Sequence, residues 1–180
     1  MTLRLFTAIE IPEEAADRLV PLQKGVGGAK WRPRENFHIT LSFFGELEEP
    51  DAAELDANLA QIDQPPFEVT LKGAGCFGNK DPHALWIGVE ENASLTRLAA
   101  ACNKAARQSG LAPDKRPFTP HVTMAYLNGA EIKRVISFVQ RLTLFELPSF
   151  PVDRFELWSS RPAKYGANHY ISEAEYPLRG

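Results

Sequence analysis

The sequence predicts a chain of mixed strands and helices built from one unit used twice, and three observations carry that reading. The order strand, helix, strand, helix, strand runs once through the N-terminal half and again through the C-terminal half, with one strand left over. A His-x-Thr pattern heads a strand in each half, at His38 and at His121, in a chain with only 4 histidines. Smaller echoes recur at a similar spacing of roughly 80 residues: Ile9-Glu10 returns as Val89-Glu90, and Arg18-Leu19 as Arg97-Leu98.

Each element has a local reason. Leu3 to Ile11 is apolar and reads as a strand. Pro12 to about Gln23 reads as a helix, with proline in its first turn and acids behind it, where the helix dipole favours negative charge. Gly25, Gly27 and Gly28 mark a loop. Glu35 to Phe44 is the first histidine strand. Strict alternation puts Phe37, Ile39, Leu41 and Phe43 on one face and His38, Thr40, Ser42 and Phe44 on the other. Asp51 to Ile62 is rich in Ala and Leu and helical. Phe67 to Gly75 and Ala84 to Glu90 are strands separated by turn material, "GNKDPH". Ser94 to Ser109 is a strong helix ended by Gly110. The second histidine strand spans about Thr119 to Leu127, with Val122, Met124 and Tyr126 on one face and His121, Thr123 and Ala125 on the other. Ala130 to Arg141 is a helix, and Phe150 to Ser159 and Asn168 to Tyr176 are the closing strands.

Composition narrows the function classes. With 180 residues, 44% of them hydrophobic and 24% charged, the chain has material for one core. We expect residues 1–180 to form a single two-lobed domain with no flexible linker. A net charge of −3 argues against a broad basic surface for long nucleic acid, while a strand end or a small substrate stays compatible. Cys76 and Cys102 form no disulfide framework, so a reduced, cytoplasmic protein is expected. The N-terminal apolar run is interrupted by Glu10, Glu13 and Glu14 and is neither a signal peptide nor a membrane span. "GVGG" and "GAGCFG" match no phosphate-cradling motif and read as turns or bulges.

The two His-x-Thr patterns carry the chemistry. Residues i and i+2 of a strand share a face, so each imidazole projects beside a hydroxyl. If the two strands converge, two imidazoles flank one point. Near neutral pH one can act as a base and the other as an acid, and the threonines can donate to anionic oxygens. That set suits in-line displacement at phosphorus without a metal. A single His-x-Thr is a common accident and more often structural; two at matching places in a duplication are much less so. A zinc site is the weaker reading, because no carboxylate shares either histidine's face and no HExxH is present. His83 and His169 are solitary and read as surface or locally bonded residues.

"RLFTAIEIP", "RPRENFHITLSFFGEL" and "RPFTPHVTMAYL" resemble the two-histidine phosphoesterase superfamily, and within it the bacterial and archaeal RNA 2′,3′-cyclic phosphodiesterases of the 2′-5′ RNA ligase family. The likeness runs through "CFGNKDPHALWIGVE" and "FELWSSR" and covers nearly the whole chain. It implies an α+β, bilobal fold in which two antiparallel β-sheets face a central cleft with helices on their outer sides. It implies that His38 is the proton donor, that His121 is the proton acceptor, and that Thr40 and Thr123 hold the phosphate oxygens. The substrates implied are RNA ends with a 2′,3′-cyclic phosphate or small cyclic nucleotides, opened to a 2′-phosphate with no cofactor and no metal; the same chemistry in reverse would join RNA through a 2′-5′ linkage. A monomer without membrane partners is expected. The alternatives are a non-catalytic nucleotide-binding module on the same scaffold and an enzyme for another cyclic phosphate, such as that of ADP-ribose.

The family often has arginine where this chain has Tyr126. Alternation places Tyr126 opposite His121, so it reads as core unless a bulge or strand end intervenes. Either a cation comes from elsewhere, such as Lys80, Arg116 or Arg161, or phosphate affinity is lower. Phe77, Trp86 and Trp158 could stack on a base, although a core role is the simpler reading of each.

Overall fold

In a computed structural model of the chain, which describes residues 2–180, ten strands and four α-helices follow one another. Strand β1 (Leu3–Glu10) leads into helix α1 (Glu13–Leu19). That helix stops earlier than its sequence predicts: Pro21 has no N–H to continue the ladder, and the chain tightens into a 3₁₀ turn over Val20–Leu22. A two-residue strand, β2 (Lys30–Trp31), has no signature in the sequence at all. Strand β3 (His38–Leu47) and helix α2 (Glu49–Leu59) complete this region. The second half contains β6 (Ala84–Val89), α3 (Ala93–Gln108), β7 (His121–Tyr126) and α4 (Ile132–Arg141). Helix α3 is capped at its start by the Asn92 side chain, which accepts from the Leu95 N–H at 2.9 Å.

Two predicted strands are each cut by one residue. Phe67–Gly75 divides into β4 (Phe67–Val69) and β5 (Leu71–Phe77), and Phe150–Ser159 into β8 (Phe150–Val152) and β9 (Arg154–Arg161). The short pieces, β4 and β8, pair with each other in a sheet of their own. The alternation of apolar residues runs straight through the first break, since Val69 and Leu71 are both buried. Only the pairing partner reveals it.

The main sheet has the order β10-β9-β1-β3-β7-β6-β5, with β10 spanning His169–Pro177 and β2 added beside β7. All its pairings are antiparallel. The chain is α+β, as the resemblance implies. The last strand of each repeated unit crosses over: β5 pairs with β6 of the second unit, and β9 with β1 of the first. The two half-sheets are joined through β3 and β7 at a single residue pair, Ile39 and Val122. These are equivalent residues of the repeat, as are Glu68 and Pro151 at the β4–β8 pairing. Both junctions therefore lie on one pseudo-twofold axis. Helices α3 and α4 pack on the same side as the main core, which includes Leu5, Ile39, Leu85, Ile87, Leu98 and Val122. A smaller cluster of Phe6, Ala8 and Trp158, with Tyr170 against it, forms on the opposite side. No helix among the described residues is long and apolar enough to cross a membrane.

Candidate active site

The join at Ile39 and Val122 places the site. Both residues are fully buried, so their neighbours at 38, 40, 121 and 123 project from the other face. Continuing the antiparallel register by one step sets His38 opposite Thr123 and Thr40 opposite His121. All four line one cleft of about 470 Å³. The expected convergence of two His-Thr pairs is thus what the fold does with them.

Each imidazole is fixed by its own strand. The Nδ1–H of His38 donates to the Asn36 carbonyl at 2.7 Å, and the Nδ1–H of His121 donates to the Thr119 carbonyl at 2.6 Å. A carbonyl can only accept, so Nδ1 carries hydrogen in both rings and Nε2 is left for chemistry. The Nε2 of His38 lies 3.0 Å from the Thr40 hydroxyl. Asn36 is itself buried and donates to the Asn168 carbonyl at 3.0 Å, which ties the loop before β10 to the first histidine.

Aromatic rings surround both histidines. Phe6, Trp158 and Tyr170 stand 5.2, 5.2 and 5.3 Å from the His38 ring, centroid to centroid. Phe77 meets His121 edge-on at 4.9 Å, with Trp86 at 6.2 Å. Trp86 fits there because Gly75 has no side chain where its ring lies. The rings expected to be core therefore are largely packing residues, but what they pack is the pair of cleft histidines. Burial pushes the His38 imidazole down to about 4, against the pull of the Asn36 carbonyl; the His121 ring and Arg32 lower it further. Burial also lowers His121, opposed by the Thr119 carbonyl. Both shifts favour the neutral ring at pH 7.

Bulges in both histidine strands correct the strict alternation read from the sequence. The register of β3 against β1 slips between Ser42 and Thr40 and again between Gly45 and Phe43, and that of β7 against β6 slips between Ala125 and Thr123. An extra residue reverses the faces beyond it. Ser42 and Ala125 turn inward and are buried, and Phe44 packs against the core. Phe43 and Tyr126, 38% and 46% exposed, turn into the cleft instead. Tyr126 is a cleft residue, not a core one.

The cations also differ from expectation. Arg116 is engaged by Asp114, and Arg161 by Glu173 at 3.2 Å; neither lines the cleft, nor does Lys80. The guanidinium groups in the cleft belong to Arg4 and Arg32. Sequence reading missed both. Arg4 carried a signal, since it alternates with Phe6 on β1. Arg32 carried none, because β2 is too short to show a period. No lining side chain is acidic, so the cleft is positive although the chain is net negative. Among the described residues, no group of three or more His, Cys, Asp or Glu is gathered in metal-binding fashion.

Comparison with known proteins agrees with this geometry. The profile of the 2′-5′ RNA ligase superfamily matches residues 11–163. The RNA 2′,3′-cyclic phosphodiesterase of Archaeoglobus fulgidus is 36% identical over 126 residues, which is 68% of this chain and 71% of that protein. The enzyme of the same name from Aeropyrum pernix is 36% identical over 135 residues, 73% of this chain and 77% of its own. The crystal structure of E. coli LigT complexed with 3′-AMP superposes with a TM-score of 0.82 at 25% identity, covering 100% of both chains.

Proposed function

This chain belongs to the 2′-5′ RNA ligase superfamily, and from that premise we propose that it opens RNA or nucleotide 2′,3′-cyclic phosphates to 2′-phosphates by paired-histidine acid–base catalysis. Its cyclic phosphodiesterase activity follows from relatives that share most of its length. The observation that carries the histidine mechanism is the shared tautomer: both rings spend Nδ1–H on a carbonyl two residues upstream and leave Nε2 to a common cleft.

The steps follow from that arrangement. The Nε2 of His121 takes a proton from water as the water oxygen attacks phosphorus. The P–O3′ bond breaks on the opposite side, and His38 gives its Nε2 proton to the departing 3′ oxygen. Thr40 and Thr123 donate to the non-bridging oxygens, which gain charge in the transition state. The assignment of donor to His38 and acceptor to His121 rests on the family resemblance. His38 must arrive protonated, and the phosphate anion raises its affinity for that proton on binding. With an RNA 5′-hydroxyl in place of water, the same displacement forms a 2′-5′ linkage; we take this as the secondary activity. Residues 1–180 act as one catalytic unit, because the four side chains come from both halves of the repeat.

The test is incubation of the protein, with EDTA, with a short RNA ending in a 2′,3′-cyclic phosphate, and chromatography of the products. A 2′-phosphate product is expected. A 3′-phosphate product, or loss of activity in EDTA, would sink the mechanism. No turnover combined with calorimetric binding of a nucleoside monophosphate would favour a non-catalytic binding module.

A further inference from the structure

The cleft holds two matched pairs that neither the four-residue mechanism nor the repeat requires. Arg4 lies over the ring of Phe43 at 5.2 Å, and Arg32 over the ring of Tyr126 at 5.1 Å. Phe43 and Tyr126 are the third residues after Thr40 and Thr123, each turned into the cleft by its bulge. Among the described residues, neither arginine has a carboxylate within ion-pair distance. A guanidinium so placed, beside an aromatic face and without a counter-charge, is a built anion site; the ring pre-orders it, so less entropy is lost when an anion binds.

The two pairs are not in equivalent positions. Arg32 is anchored at its backbone: its N–H donates to the Met124 carbonyl at 2.8 Å, and its carbonyl accepts from Gln23 at 2.8 Å. From there its charge is felt by His38, as that of Arg4 is not, and by the Tyr170 hydroxyl, on which Arg4 acts too but more weakly. Arg4 stands farther off. It lies in one cross-sheet row with Ser160 and Tyr170, one alternation along β1 beyond Phe6, the ring that touches His38. Two residues of a strand span about 6.8 Å, a step comparable to that between neighbouring phosphates of an extended single strand.

We propose that the two arginines divide the substrate: Arg32, held on Tyr126, binds the cyclic phosphate under attack, and Arg4, held on Phe43, binds the phosphodiester on its 5′ side. The substrate class is then the end of a single-stranded oligoribonucleotide, in preference to a mononucleoside cyclic phosphate. This rests on the cyclic phosphodiesterase reading above. Phe43 adds an exposed face on which the penultimate base can stack.

Steady-state kinetics on two substrates test it: a trinucleotide ending in a 2′,3′-cyclic phosphate and adenosine 2′,3′-cyclic phosphate. For Arg32→Gln, kcat falls on both substrates by about 10²-fold, as for loss of a transition-state donor. For Arg4→Gln, the ratio of kcat/KM between trinucleotide and mononucleotide falls about tenfold or more, through KM. The salt dependence of kcat/KM for the trinucleotide flattens by about 0.7 in log–log slope, one phosphate contact on a single strand. Phe43→Ala, at an exposed position, moves the same ratio the same way. An unchanged ratio and slope in Arg4→Gln would overturn the proposal, as would a wild type with no preference for the trinucleotide. If wild type turns over neither substrate, it is the cyclic phosphodiesterase reading that has failed.

Discussion

Replacing His38 by Gln should change how the stability of this protein depends on pH. The imidazole titrates near 6.5 in an unfolded chain and is pushed down to about 4 in the folded one. Between those values the unfolded state takes up a proton that the folded state refuses. The neutral ring therefore costs nothing above about pH 6.5, and stability is lost as pH falls from there towards 4. A gap of about 2.5 units at 1.36 kcal/mol each amounts to about 3 kcal/mol. The ring keeps some exposure to the cleft, so solvent screening brings this to about 2 kcal/mol. Glutamine does not titrate, and its amide can still donate to the Asn36 carbonyl. Urea unfolding of both proteins at about pH 7, 5.5 and 4.5 measures the effect. The stability of wild type relative to His38→Gln should drop by about 2 kcal/mol from the highest pH to the lowest. A difference that stays constant with pH would show that His38 protonates as readily in the cleft as in water, and the account of its aromatic enclosure would be wrong.

The remaining predictions concern activity and packing. His38→Ala and His121→Ala should each lower kcat on a cyclic phosphate RNA end by at least about 10²-fold while the circular dichroism spectrum stays native; near-full activity in either would remove that ring from the mechanism. Because both rings are lowered in the protein alone, kcat/KM should follow a bell whose maximum lies below about pH 6.5, and kcat, which reports the complex, should peak at higher pH. Gly75→Ala puts a methyl group into the Trp86 ring, so thermal denaturation should show a loss of about 1–3 kcal/mol, and the displaced Trp86 should lower activity through His121.

The residues alone indicated the repeat, the helices and the two histidine strands, because those signals are local. An apolar period needs only a few neighbours to show itself, and so does a cap such as Asn92. The pairing of His38 with Thr40 and of His121 with Thr123 is equally local, since alternation along a strand puts i and i+2 together. The facing of one pair on the other is not. It comes from the Ile39–Val122 join, which depends on how two half-sheets dock. The exchange of β5 and β9 between halves was hidden for the same reason, because a strand's sequence says which face is buried but not which neighbour it will bond. The bulges were hidden too, and they matter most at the site. An extra residue just past the threonine of each histidine strand reverses the alternation, brings Phe43 and Tyr126 into the cleft, and sets an arginine on each ring. The proposed catalytic residues were thus legible in the sequence pattern. The cations that line the cleft were decided only by tertiary structure, because Arg4 and Arg32 reach it from segments whose own sequences do not record where they meet.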